Sequence, residues 1–305
     1  MRLWCILISL MLSACGIQPQ QAEVISGFSH TLQTSSENAA QALQWHRDNS
    51  LHIKLVLSAL DENKQALNCQ ARALNLPTGQ CTELQQPISD AMLQQRLQVL
   101  ETCRLYAQSL AQLIEETDLQ ALNKSLLTLH SAIAIHDKQF TEGQQQALAS
   151  LTTQITGWFV ARERYELARQ IIRDIGPVVN QMLSELSADL VLTATSGARG
   201  FIDSHQRLAQ NLLDETQQRL TLAANQSLIQ RSWLFEQQYW ALHSLQRIEN
   251  ESDKAWQQMQ KLHNINQSLI AKIQQQNWDK KSWLALGKEI QQLNSALQVS
   301  GVLNE

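Results

Sequence analysis

The residues best suited to acid–base or metal chemistry in this 305-residue chain are eight histidines, and they are scattered along it. His46 and His52 are six positions apart, so they fall on different faces of a helix with about 3.6 residues per turn. The HExxH and GxSxG motifs, the glycine-rich dinucleotide fingerprint and the P-loop pattern do not occur. We therefore expect structural or surface histidines, with no metal site, no catalytic residues and no cofactor.

The first sixteen residues carry a different chemistry, that of export. Arg2 is followed by an apolar run from Leu3 to Leu12, which only Ser9 interrupts, and small residues then precede Cys15. This order predicts a secretory signal peptide over residues 1–14. The run is too short for a permanent transmembrane helix, which needs about 20 apolar residues.

The sequence Leu12-Ser13-Ala14-Cys15 resembles the lipobox of bacterial lipoproteins. The resemblance implies cleavage before Cys15, a diacylglycerol on its sulfur through a thioether, and usually an N-acyl chain on its amine. Each buried CH₂ contributes about 0.8 kcal/mol, so two or more chains hold a protein stably at a membrane. Gly16, where an aspartate would favour inner-membrane retention, implies sorting to the outer membrane in a host with two membranes. We expect the periplasmic side of that membrane, with exposure at the cell surface left open. The alternative is an ordinary cleaved signal that leaves a free periplasmic protein.

Three other cysteines remain after such a cleavage, and their compartment would be oxidising. Cys69 and Cys81 flank a turn that contains Pro77 and Gly79, and a disulfide closing so short a loop contributes about 3 kcal/mol. Cys103 lies well inside the following helix. We therefore predict a Cys69–Cys81 disulfide and a buried Cys103 thiol, with pairings that use Cys103 left open. The absence of a CxxC motif argues against a redox or zinc role.

Composition predicts that these residues are carried by helices. The chain has only ten Gly and four Pro, is rich in Leu, Ala, Gln and Glu, and lacks hairpin signals. We expect an all-α, antiparallel helical bundle of about seven or eight helices, with two sub-bundles as the alternative. Its net charge of −4, with acidic and basic residues interspersed, argues against nucleic acid as a partner.

In the first half of the chain, Thr34-x-x-Glu37 matches a capping box, which predicts that the first long helix begins there. Residues 15–33 then form a lipidated tether, and residues 34–196 an N-terminal helical bundle. Gly176-Pro177 predicts a helix boundary, because glycine suits the position after a helix and proline suits the first turn of the next.

In the second half, the boundary at Gly197 introduces a region of long, coiled-coil-like helices over residues 197–305. A helix is predicted from Asp203 to about Ile248, and its middle is apolar on most sides, which is typical of a buried helix. Residues 249–252 resemble a turn. Ala255 to Ile273 then form a heptad-like seam with one polar position, and Asp279 caps a last helix.

Five tryptophans lie between Trp233 and Trp283. Core packing explains them in the simplest way, and an aromatic contact surface is the functional alternative. The residues that we expect at such a surface are Trp233, Trp240, Trp256, Met259 and Asn266.

These patterns together predict a non-catalytic binding or assembly protein of the cell envelope, anchored to the outer membrane by lipid. Its partner would be another envelope protein or a second copy of the chain. Three alternatives stay open: an immunity lipoprotein that neutralises a periplasmic toxin, an envelope enzyme of unrecognised type, and a helical toxin or membrane-remodelling protein.

Overall fold

The computed structural model describes residues 19–60, 90–115, 119–134, 161–189, 197–222, 227–276 and 279–300. In this part of the chain the protein is all-α, as predicted, and no strand occurs. The eight described helices are α1 (Pro19–Leu60), α2 (Asp90–Glu115), α3 (Leu119–Ala134), α4 (Ala161–Asp174), α5 (Gly176–Asp189), α6 (Gly197–Thr221), α7 (Leu228–Gln274) and α8 (Lys280–Ser300).

The chain divides into two compact units, and each is built from separate stretches of sequence. Unit 1 comprises Met1–Glu37, Gln98–Ser184 and Gln258–Glu305, and unit 2 comprises Asn38–Leu97 and Glu185–Gln257. This division differs from the predicted one at residues 196 and 197. Helices α1, α2, α5 and α7 each contribute residues to both units, so a single cut in the sequence cannot separate them.

The predicted tether over residues 15–33 is wrong for its described part, because α1 already begins at Pro19. Proline is well tolerated in the first turn of a helix. Thr34 therefore lies inside a helix and does not cap one. Two hydroxyls in this stretch bond within the helix: Ser29 donates to the Ile25 carbonyl and Thr31 to the Gly27 carbonyl, each at 2.7 Å. The apolar side chains that this segment buries in unit 1 are Val24, Ile25, Phe28 and Leu32.

The predicted boundary between α4 and α5 is confirmed. Ile175 forms the turn between the two helices, and α5 starts at Gly176-Pro177. Gly176 also permits close packing inside unit 1, because a Cβ there would lie 3.0 Å from Cγ1 of Ile270 on α7. Here glycine is needed for the close approach of two helices.

The C-terminal part of unit 1 also follows the sequence. The heptad-like seam of α7 faces inwards, and Asp279 Oδ2 accepts a hydrogen bond from the Ser282 backbone N–H at 2.9 Å, as expected for an N-cap of α8. The buried residues of the α7 seam are Met259, Leu262, Asn266, Leu269 and Ile273, and those of α8 are Trp283, Leu286, Ile290, Leu293 and Leu297.

The predicted helix from Asp203 to Ile248 is wrong, because α6 ends at Thr221 and α7 begins at Leu228. Ser227 and Gln230 form a capping box at the start of α7. Ser227 Oγ accepts from the Gln230 backbone N–H at 3.3 Å, and Gln230 Oε1 accepts from the Ser227 backbone N–H at 3.1 Å. Residues 249–252 do not form the predicted turn, since α7 continues through them to Gln274.

The core of unit 2 is formed by α1, α6 and the first half of α7. Its members are apolar residues that recur at helical spacing on each of the three helices, so one stripe of each helix faces the common centre. The buried cluster comprises Ile53, Val56, Leu60, Ala209, Leu212, Leu234 and Ala241.

Candidate interaction surface

The first half of α7 carries two apolar seams, and only one of them faces the core of unit 2. The inner seam follows spacings of three and four residues and consists of Leu234, Gln237, Ala241, Ser244 and Ile248, all buried. On the outer seam, Leu228 is 82 % exposed, Phe235 54 %, Tyr239 69 % and Leu242 49 %. Successive residues turn by about 100° around a helix, so residues two positions apart, such as Phe235 and Gln237, lie on nearly opposite sides of α7.

The outer seam corrects the prediction that this stretch is buried on most sides. The sequence shows apolar residues around much of the helix, but the described residues of unit 2 pack against the side that carries Leu234 and Ala241. Monomeric proteins rarely expose large contiguous apolar patches, and those that occur are often functional. The outer seam, with the exposed neighbour Ile229, is therefore the strongest candidate contact surface among the described residues.

The structure separates the predicted tryptophans. Trp233 is 38 % exposed and borders the outer seam. Trp240 is half-buried, packs against the core of unit 2 and lies 4.4 Å from His52 between ring centroids, so its main contacts are internal. The side chain of Trp256 lies outside the described residues.

Met259 and Asn266 are wrong as contact residues, because both are buried in unit 1. Asn266 Nδ2 donates to the Gly176 carbonyl at 3.1 Å and to Asn180 Oδ1 at 3.3 Å. These two hydrogen bonds therefore join α7 to α5 within unit 1. Met259 lies on the same inward-facing seam of α7.

A histidine pair that the sequence did not predict lies inside unit 2. His46 on α1 and His205 on α6 are both buried, and their Nδ1 atoms are 2.8 Å apart, so one ring donates and the other accepts. The Trp45 ring lies 4.9 Å from His46 and 5.1 Å from His205 between centroids. The Arg247 guanidinium covers the Trp45 ring at 4.3 Å from its centroid, a cation–π contact.

The surroundings of His205 favour its uncharged form. Burial lowers the pKa of His205 to about 4, since the protonated ring would lose its hydration. Among the described residues, no group of three or more His, Cys, Asp or Glu side chains could hold a metal ion. The pair is therefore best explained as a buried hydrogen bond between α1 and α6. Its residues are 159 positions apart, and no local spacing could reveal the contact.

Of the cysteines with predicted roles, the structure describes Cys103. It is buried in unit 1 and free, as predicted, and burial raises the pKa of its thiol to about 12. Cys15, Cys69 and Cys81 lie outside the described residues, so lipidation and the disulfide remain predictions. The described part of the chain contains no disulfide.

One polar cluster in unit 1 lies at the surface. Glu115 accepts hydrogen bonds from Ser26 and, at 2.9 Å, from His30 Nε2. Desolvation by itself would raise the pKa of Glu115, but these two partners lower it below its ordinary value. The histidine and the carboxylate are about half exposed, so the cluster is a solvated link between α1 and α2.

Comparison of the chain with protein-family models, with curated proteins and with solved structures finds no match. Within the described residues, no helix combines the length and apolarity needed to cross a membrane. The features of this chain that bear on its function are therefore the leader sequence and the exposed seam of α7.

Proposed function

We propose that this protein is a lipid-anchored, non-catalytic binding component of the bacterial cell envelope, and that it contacts its partner through the outer seam of α7. The observation that carries the proposal is the exposure of Phe235, Tyr239 and Leu242 on a helix whose opposite side is packed into unit 2. In this proposal unit 2 serves to hold the contact helix in a fixed conformation.

Support for the anchor comes from the sequence Leu12-Ser13-Ala14-Cys15 behind a short apolar run. Cleavage before Cys15 would leave a thiol for lipidation at the new amino terminus. Since α1 begins at Pro19, only a few residues would separate the lipid from the first helix. The proposed location is the periplasmic side of the outer membrane, and the proposed cofactors are limited to the acyl chains on Cys15.

Support for binding comes from the chemistry of the outer seam. Burial of apolar surface contributes about 25 cal/mol per Å², and each aromatic side chain offers about 150–250 Å² in total. Aromatic residues are also enriched among those that dominate binding energies at protein interfaces. Phe235 and Tyr239 are therefore the residues that we expect to contribute most, with Leu228 and Leu242 at either end.

A site-specific photo-crosslinking experiment in whole cells tests the contact surface. A photo-reactive side chain replaces Tyr239 in one strain and Gln217, an exposed polar residue of unit 2, in the matched control. We expect defined covalent adducts from position 239 and not from position 217, identified by mass spectrometry. The same faint, heterogeneous adducts from both positions would contradict a specific contact at the outer seam.

A further inference from the structure

The outer seam of α7 has the spacing of a two-stranded coiled coil. From residue 228 onwards its positions follow intervals of four, three, four, three and four. In the heptad notation abcdefg, the d positions are taken by Leu228, Phe235 and Leu242. The positions labelled a are taken by Ser232, Tyr239 and Gln246. All six residues are exposed, so no residue that the structure describes covers this seam along its three heptads.

The residues that flank the seam carry complementary charges in one particular arrangement. With this register, Arg231 takes a g position and Glu236 the next e position, and both are exposed. In a parallel two-stranded coiled coil, a g residue faces the e residue five positions further along the other strand. Arg231 of each copy would thus face Glu236 of the other, and a two-fold axis would form the ion pair twice.

We propose that the outer seam binds the same seam of a second copy, with the two α7 helices parallel and in register. This inference rests on the proposed function in taking the outer seam as the contact surface. Such a pair is compatible with a lipid anchor. Its two-fold axis puts the two amino termini at the same level along that axis, so a single membrane can hold both.

The size of the seam predicts a weak pair. Two aromatic and two leucine side chains per copy would bury at most on the order of 1,000 Å² in total, the lower end for specific interfaces. The helix is already held by unit 2, so pairing does not require it to fold. Confinement to a membrane would raise the effective concentration of the chains and favour the pair there.

A membrane surface is a poorer fit for the same face. Helices that lie on membranes usually carry several Lys or Arg beside their apolar face. Between Leu228 and Gln246 the chain has one basic residue, Arg231, and one acidic residue, Glu236, so their charges cancel. This balance suits a matching copy better than anionic lipid.

Disulfide trapping tests the parallel register. In a parallel pair the two copies of residue 232 face each other, within the Cα separation of about 4.4–6.8 Å that a disulfide needs. We expect Ser232→Cys in the full chain, purified from membranes in mild detergent, to give a reducible species of twice the monomer mass on addition of an oxidant. Gln246→Cys repeats the test at a second a position. The unmodified chain and Gln217→Cys are the controls, and similar yields from all four proteins would overturn the pairing.

Charge exchange tests whether the partner is a second copy. Arg231→Glu places two carboxylates opposite each other at both symmetry-related contacts, and Glu236→Arg places two cations there. Each single change should weaken association, measured by sedimentation velocity, by about tenfold. The double variant exchanges both partners at once and should recover association to within about twofold. Failure of the double variant to recover would exclude the proposed g-to-e' contact.

The outcomes separate this inference from the proposed function. A membrane-bound chain that stays monomeric, and whose Tyr239 photo-adducts contain only other proteins, would overturn the pairing and leave the proposed function in place. Vesicles of phosphatidylethanolamine and phosphatidylglycerol provide the second comparison. If Phe235→Ser abolished sedimentation of the Cys15→Ser chain with these vesicles, the seam would be a membrane contact and the pairing would be overturned.

Discussion

Acidification should destabilise unit 2 through its buried histidine pair. Only one proton can lie between the Nδ1 atoms of His46 and His205, which are 2.8 Å apart. The pKa of His205 is lowered from 6.5 to about 4 by burial, so the folded chain favours the neutral ring. The unfolded chain therefore takes up a proton at a higher pH than the folded chain does. The contribution of the neutral His205 ring to the free energy of unfolding is therefore fully present above about pH 6.5, and it is lost as the pH falls towards 4.

The expected magnitude follows from the difference between the two pKa values. A pKa unit corresponds to about 1.4 kcal/mol, so a change from 6.5 to about 4 corresponds to a loss of about 3 kcal/mol in the free energy of unfolding. Natural domains are stable by about 5–15 kcal/mol, so this single residue controls a substantial part of the stability at acidic pH.

Denaturant unfolding followed by circular dichroism, at several pH values between about 7 and 4, measures this effect. His205→Gln retains a donor and an acceptor but does not titrate, so its stability should fall by about 3 kcal/mol less than that of the unmodified chain across this range. His243→Gln, at an exposed position of unit 2, is the matched control and should behave as the unmodified chain does. Equal pH dependence in the His205 variant and the unmodified chain would show that His205 does not control the stability at acidic pH.

Three further predictions concern unit 1. Trp283→Ala should lower the free energy of unfolding by about 3–5 kcal/mol because it leaves a large cavity. Leu284→Ala, at the exposed neighbouring position, should change it by less than about 0.5 kcal/mol. Denaturant midpoints compare the two variants. Asn266→Ala should cost about 1–3 kcal/mol in the same assay, since the buried Gly176 carbonyl loses a donor. Cys103 should resist alkylation by a maleimide in the native chain and react fully in denaturant, because burial holds its thiol in the protonated form. Rapid native labelling would contradict its burial.

Much of the fold could be predicted from local sequence signals. The boundary at Gly176-Pro177 and the cap at Asp279 are properties of a few adjacent residues, and both are confirmed. The start of α1 was mispredicted for the same local reason. Thr34-x-x-Glu37 satisfies the pattern of a capping box, but the packing of Phe28 and its neighbours in unit 1 extends the helix beyond it. Tertiary burial here overrides a valid local signal.

The candidate site could be predicted only in part. Trp233 was expected at a contact surface and borders the outer seam, whereas Asn266 was expected there and is buried. A helix with two apolar seams gives the same sequence pattern whichever seam meets the core. Only the positions of α1 and α6 against Leu234 and Ala241 decide which side of α7 stays exposed.

Lipidation of Cys15 can be measured directly in cells. We expect the chain to fractionate with membranes and to incorporate labelled palmitate, and we expect Cys15→Ser to abolish the labelling and to release the chain from the membrane fraction. Mass spectrometry of the amino-terminal peptide would show cleavage before Cys15 and the mass of the attached acyl chains. Membrane fractionation and electrophoretic mobility that are identical for the two proteins would contradict lipidation of Cys15 and the proposed location.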